Sequence, residues 1–216
     1  MKKFAIVLSG CGVFDGAEIH EATLTMYSIS KNGATYDIFA PNIEQHNVID
    51  HLTGSEMSEK RNVMIEAARI ARGDVKDLKD FDAASYDALI FPGGFGAAKN
   101  LCAFAFDGPD CIVNPDVEKA LLSMREKGKP IGALCISPVL FAKVFGNNVE
   151  LTIGRDKGTA ESIEAMGANH KVATHGEVVV DENNKLFTTP GYMLDATIAQ
   201  IGEGADNIVK AMLEHL

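Results

Sequence analysis

The sequence predicts an α/β fold, a mostly parallel sheet with helices on both faces. Three observations predict it. Short apolar runs of strand length, at Lys3–Leu8, Thr35–Ala40, Ala88–Phe91 and Pro130–Leu134, alternate with segments of helical periodicity. The stretches between them are long enough for the crossover helices that parallel neighbours require. Three glycine-bearing or turn-like loops, Gly10–Gly16, Gly93–Gly96 and the junction at Cys135, each directly follow a strand. Ligands of open parallel sheets bind outside the carboxyl ends of the strands, so these loops mark the functional edge.

Taken in order, the strand Lys3–Leu8 leads through Ser9-Gly10-Cys11-Gly12-Val13-Phe14-Asp15-Gly16 into a helix from about Ala17 to Asn32. Its apolar positions are Ile19, Ala22, Leu24, Met26 and Ile29, and Gly33 stops it. Pro41 closes the second strand, and Asn42–Ser58 is polar and irregular. Val63, Ile65, Ala67, Ala68 and Ile70 define a helix over Glu59–Arg72. The buried strand Ala88–Phe91 runs into Pro92-Gly93-Gly94-Phe95-Gly96, with a helix expected over Ala97–Phe106. Pro115–Lys127 is a further helix ended by Gly128, and Pro138–Phe145 follows the Cys135 strand. The last third predicts a short strand at Leu151–Ile153, a helix over Thr159–Met166 and a hairpin of Glu177–Asp181 with Lys185–Thr189. A closing helix is expected from about Met193 to Glu214.

The chain of 216 residues is read as one domain, 1–216, with no linker or repeat. A net charge of −10 argues against a nucleic-acid backbone or an anionic membrane as partner. No apolar run reaches spanning length, and the one at the N-terminus is too brief for a secretory signal, so a cytoplasmic protein is expected. Cys11, Cys102, Cys111 and Cys135 have no C-x-x-C spacing; free thiols in a reducing compartment are expected, and no zinc site.

Cys135 is the leading candidate for chemistry. It sits between the apolar strand and Pro138, a residue suited to the first turn of a helix. A residue at such a junction is pushed out at the carboxyl edge, as in a nucleophile elbow. The N-terminus of the next helix then favours thiolate over thiol. Gly93-Gly94 allows close approach of backbone, and a glycine N–H there, with that of Ile136, can form an oxyanion hole. A carboxylate one turn into the first helix would reach the same edge, where burial and like charge raise its pKa and suit it to proton exchange with a bound carbonyl. Spacing alone does not choose between Glu21 and Glu18.

Other signals are weaker. Gly10-x-Gly12-x-x-x-Gly16 with Asp37 downstream imitates a dinucleotide fingerprint, but Asp15, Glu18 and Glu21 would crowd a pyrophosphate. His20, His46, His51, His170, His175 and His215 read as surface or loop residues; His175-Gly176-Glu177 has the order of a Cys-His-Glu triad without showing its geometry. Cys11 reads as a small loop residue.

Three motifs carry a resemblance. Ser9-Gly10-Cys11-Gly12-Val13-Phe14-Asp15-Gly16-Ala17-Glu18-Ile19-His20-Glu21-Ala22, Phe91-Pro92-Gly93-Gly94-Phe95-Gly96-Ala97-Ala98-Lys99-Asn100-Leu101 and Gly132-Ala133-Leu134-Cys135-Ile136-Ser137-Pro138 closely resemble the ElbB group of the PfpI/ThiJ superfamily. These are glyoxalase-like proteins linked by name to isoprenoid biosynthesis. The likeness extends to Leu151-Thr152-Ile153-Gly154 and Thr188-Thr189-Pro190. It implies a flavodoxin-like three-layer sandwich of the class I glutamine amidotransferase type, and a homodimer. It places the nucleophile on Cys135, its partner acid on Glu21 and the oxyanion donors near Gly94 and Ile136. Many relatives place His directly after the cysteine, where this chain has Ile136.

The resulting expectation is a glyoxalase, a lyase that turns glyoxal or methylglyoxal into glycolate or lactate through a cysteine hemithioacetal. It needs no metal, glutathione or nucleotide, and its partner is a small aldehyde or dicarbonyl. Two rivals are a glutaminase-like amide hydrolase using Cys135 with His175, and a redox-sensing or chaperone-like binding protein with an oxidisable Cys135.

Overall fold

The computed structural model describes residues 1–216. Its centre is a seven-stranded sheet of β1 (Lys3–Val7), β2 (Thr35–Ala40), β3 (Lys76–Asp77), β4 (Ala88–Phe91), β5 (Ile131–Leu134), β6 (Val179–Asp181) and β7 (Leu186–Thr189). The strand order is β6-β7-β5-β4-β1-β2-β3, and only β6 runs antiparallel. Register is fixed by pairs such as Ile6–Ile38, Phe4–Ala88, Phe91–Ala133 and Leu134–Thr189. The central strands are apolar on both faces because helices cover both.

The helices are α1 (Ile19–Lys31), α2 (Val63–Ile70), α3 (Phe95–Lys99), α4 (Phe104–Asp107), α5 (Pro115–Glu126), α6 (Pro138–Phe145), α7 (Lys157–Ala165) and α8 (Ile198–Glu214). One face of the sheet, with Phe4, Ile6, Ile90 and Phe187, packs under α1, α2 and α8. The other, with Val7, Leu89, Phe91 and Ala133, packs under α5 and α6. Alternate residues of β1 and β4 therefore enter opposite cores, as the pleat dictates. The predicted three-layer α/β architecture is the one found.

Several boundaries differ, each for a local reason. α1 begins at Ile19 rather than Ala17, because the Glu18 side chain accepts the N–H of Glu21 and caps the helix. α2 is shorter than Glu59–Arg72: Asn62 caps its start, accepting from Ile65 N at 3.1 Å. The single helix expected over Ala97–Phe106 is two pieces, α3 and α4, divided at Asn100. The buried Asn100 amide donates to the carbonyls of Ser9 at 3.0 Å and Asp15 at 2.9 Å, and accepts from His46 N at 2.9 Å. Its side chain thus ties this turn to the loop after β1. α8 starts at Ile198, where Thr197 and Gln200 form a capping box, and a 3₁₀ turn covers Gly191–Met193. The two-residue edge strand β3 carried no apolar run to announce it, and the expected strand at Leu151–Ile153 is a short parallel ladder of Glu150–Leu151 with Asn169–His170.

Replacing Asn100 with Ala removes three hydrogen bonds at once, two of them buried. Chemical denaturation of Asn100→Ala is expected to show a loss of about 2–3 kcal/mol relative to wild type.

Candidate active site

Four loops at the carboxyl ends of β1, β4, β5 and β7 converge on one sulfur. Cys135 follows β5 and has φ +61°, a left-handed conformation that non-glycine residues seldom adopt. Its N–H donates to Thr189 O at 3.0 Å, and the neighbouring Ser137 hydroxyl donates to Pro92 O at 2.8 Å. The elbow is thereby tied to both flanking strands, and such over-determination is what maintains a strained backbone. Cys135 is 7% exposed and lines a cavity of about 450 Å³.

Glu21, in the first turn of α1, is 0% exposed. Its carboxylate accepts the N–H of Gly93 at 2.8 Å through one oxygen and the N–H of Tyr192 at 2.9 Å through the other, and it sits beside the Cys135 thiol. Burial pushes its pKa up to about 7, the charge of Glu18 adds to the rise, and the two backbone donors restrain it. The alternative left open by spacing is resolved in space: Glu21 meets the sulfur, while Glu18 caps the helix.

Space at this contact exists only because glycines border it. A Cβ on Gly93 would collide with Cys135 Cβ and lie 2.6 Å from Glu21 Oε2. One on Gly191 would strike Glu21 Oε1. The backbone N–H groups of Gly94 and Ile136 lie beside the Cys135 sulfur and favour its charged form.

One electrostatic expectation is corrected. The N-terminus of α6 does not by itself leave Cys135 as a thiolate. Burial first, and the Glu21 charge second, push its pKa well above the usual thiol value, against the N–H groups of Gly94 and Ile136. Two negative charges do not fit side by side in this site, so the pair retains a proton that either member can carry.

Other predicted candidates fall elsewhere. His175 does not line the Cys135 cavity; its Nε2 stands 3.0 Å from Asp195 O. His20 reaches the neighbourhood only through Tyr192, whose hydroxyl lies 2.8 Å from its Nδ1. Cys11 is outside the cavity lining, and burial raises its pKa. No group of three or more His, Cys, Asp or Glu side chains is placed to hold a metal ion. The Gly10–Gly16 loop is not a phosphate cradle, because it is folded onto itself. Gly12 N donates to Ala17 O, Gly16 N to Gly12 O, and Gly96 N to Gly16 O. A Cβ on Gly96 would lie 2.5 Å from Gly16 Cα, so these glycines serve close packing of two loops.

Sequence reasoning missed Gly191 and Tyr192, which complete the Glu21 socket. Pro190-Gly191 after a buried strand is a turn signal that pointed to this edge.

The α/β sandwich, with an elbow cysteine against a buried glutamate, shares its fold with solved DJ-1/ThiJ/PfpI-like structures. No family model matches the chain. It is 49% identical over 222 residues to human glutamine amidotransferase-like class 1 domain-containing protein 3, mitochondrial, covering 98% of this chain and 82% of that protein. It is 49% identical over 223 residues to the mitochondrial ES1 protein homolog of Rattus norvegicus, covering 98% and 83%. The chain belongs to this family of ES1 and glutamine amidotransferase-like class 1 domain-containing proteins. The crystal structure of an isoprenoid biosynthesis protein with amidotransferase-like domain from Ehrlichia chaffeensis superimposes with a TM-score of 0.92 at 34% identity, over 99% of this chain and 100% of that one. Glyoxalase III of Candida albicans shares the fold, with a TM-score of 0.63 at 15% identity over 99% and 96% of the chains.

The expectation of a cytoplasmic protein is corrected by these relatives, which are named as mitochondrial and point to that compartment instead. Hydropathy could not carry that inference. No helix is long and apolar enough to cross a membrane, yet organellar targeting is read from amphipathic, basic segments rather than apolar runs.

The Glu21 pKa makes stability depend on pH. Its folded value is raised above the unfolded one, so its contribution to folding is complete below about pH 4.5 and is lost as pH rises through about 7. Denaturation across pH 5 to 8 is expected to show this loss, at most roughly 3 kcal/mol. Glu21→Gln, which cannot ionise, should flatten the profile.

Proposed function

We propose that this protein is a glutathione-independent glyoxalase of the ElbB group, converting 2-oxoaldehydes to 2-hydroxy acids. The observation that carries the reading is the contact between the buried Glu21 carboxyl and the Cys135 thiol at the wall of an open cavity. Thiol addition and carboxyl proton transfer both operate near neutral pH when one proton is shared between the two groups.

The chemistry balances without an external oxidant or reductant. The Cys135 sulfur adds to the aldehyde carbon; the carbonyl π bond breaks, and the oxygen takes up the proton held by the pair, giving a hemithioacetal. The N–H groups of Gly94 and Ile136, which lie beside the sulfur, stand next to the developing oxyanion. Glu21, now ionised, removes the hydrogen of the former aldehyde carbon as a proton, leaving an enediolate whose remaining hydroxyl proton passes to the neighbouring oxygen. Reprotonation at the adjacent carbon gives a 2-hydroxyacyl thioester. The first carbon is oxidised and the second reduced, so the redox change is internal. Water attacks the thioester, the C–S bond breaks, and the hydroxy acid leaves with the thiol restored.

The relation in fold to the Candida glyoxalase III supports this reading, as does the Ehrlichia structure for the ElbB placement. The amide-hydrolase alternative is less well supported, because His175 is not at the sulfur. The oxidisable-cysteine alternative predicts no aldehyde turnover. Purified protein without glutathione should consume methylglyoxal and form lactate. Cys135→Ser should abolish turnover, and Glu21→Gln should lower kcat by about 10²–10⁴-fold. Both variants must remain folded by circular dichroism. Unchanged turnover in either, or none in wild type, would sink the proposal.

A further inference from the structure

The cavity beside Cys135 is far larger than the two- and three-carbon dicarbonyls invoked above. Its volume of about 450 Å³ lies within the range of pockets that bury drug-sized ligands, roughly 300–1,000 Å³. Its walls are largely apolar, formed by Val13, Phe95, Ala98, Phe104, Ile136 and Met193. The polar groups cluster at particular points: the thiol at one, Tyr192 beside it, and Asp156 with Thr159 at another.

The lining contains no Lys or Arg. Lys99, on the helix whose first turn forms one wall, donates instead to Phe14 O at 2.9 Å and Asn47 Oδ1 at 3.3 Å. The one charged lining residue is therefore negative. Asp156 caps α7, accepting from Thr159 N at 2.8 Å, and the Thr159 side chain and N–H hold its carboxyl below the usual range, so it remains ionised at neutral pH. A carboxylate or phosphate seated on the apolar walls would meet this charge at the exposed rim and find no cationic partner among the lining residues. Burying it unpaired is costly.

We infer that the cavity selects an electrically neutral compound whose reactive carbonyl carries an apolar arm, such as an aryl- or branched-alkyl-substituted 2-oxoaldehyde, over glyoxal and over anionic substrates. The inference rests on the glyoxalase reading for its reacting end and on the cavity walls for the rest. The arm lies against Phe95, Phe104 and Met193 while the aldehyde carbon meets Cys135. The same walls account for Ile136 as an apolar side chain whose backbone N–H serves the sulfur.

Two measurements test this independently. In the first, kcat/KM for phenylglyoxal should exceed that for methylglyoxal by about tenfold or more, as the transfer of a phenyl group out of water predicts. Phe95→Ser, a change at a half-exposed wall residue, should reduce that ratio severalfold. In the second, alkylation of Cys135 is followed by mass spectrometry, and each rate is divided by that for free cysteine. N-phenylmaleimide should outpace N-ethylmaleimide, and iodoacetamide should outpace iodoacetate, with Asp156→Asn narrowing the second gap. If no 2-oxoaldehyde is turned over but the thiol shows both preferences, the glyoxalase reading fails and the pocket's selectivity stands. If iodoacetate reacts as fast as iodoacetamide, or N-phenylmaleimide gains nothing, the inference is overturned whatever the turnover.

Discussion

A single carboxyl group taken completely out of water governs this structure. An isolated carboxylate in an apolar interior is very costly, and proteins tolerate one only with donors on its oxygens or a proton on the group. Glu21 has both remedies. The N–H groups of Gly93 and Tyr192 each occupy one oxygen, and burial raises the pKa to about 7, where protonation is available. Those donors come from loops after β4 and β7, whereas Glu21 comes from the helix after β1. The strand order places all three at one end of the sheet. Socket and topology are therefore one requirement: the acid is stable only if three strand ends meet around it.

The sulfur depends on the same convergence. Cys135 adopts φ +61° because its N–H is held by Thr189 and the following Ser137 is held by Pro92. Relaxing the turn would break both bonds. The glycines at 93 and 191 then set how closely thiol and carboxyl approach, since any side chain at either place would occupy the gap between them. Strain, close packing and a raised pKa are thus consequences of one arrangement.

Much of this was legible in the residues, and what was not has physical causes. The strands were evident because β1, β4 and β5 contain apolar runs, and Pro41 closes β2. Cys135, Gly94 and Ile136 could be brought together because each follows a strand directly. Choosing Glu21 over Glu18 required the register of α1, which shifts by two residues when Glu18 turns back to cap it. That is a choice of hydrogen-bond partner, invisible to periodicity. The break at Asn100 is of the same kind, since helical propensity yields there to three tertiary hydrogen bonds. Tyr192 contributes its backbone to the socket, so its residue type carried no signal. The thiolate expectation failed because the helix dipole is a weaker influence than burial beside a carboxylate.

The position after the cysteine shows how the parts constrain one another. The N–H of the residue there lies beside the sulfur, one residue before the N-cap of α6. Its side chain lies in the wall of the cavity. Amide hydrolysis must expel an amine, which needs a proton delivered to the leaving nitrogen, and a histidine in the wall would suit that demand. Addition of a thiol to an aldehyde expels nothing, the later carbon-to-carbon proton transfer runs through Glu21, and the group finally expelled is a thiol rather than an amine. An isoleucine at 136 therefore removes no step from the proposed reaction. It leaves the wall apolar, in keeping with the burial that raises the Glu21 pKa to about 7.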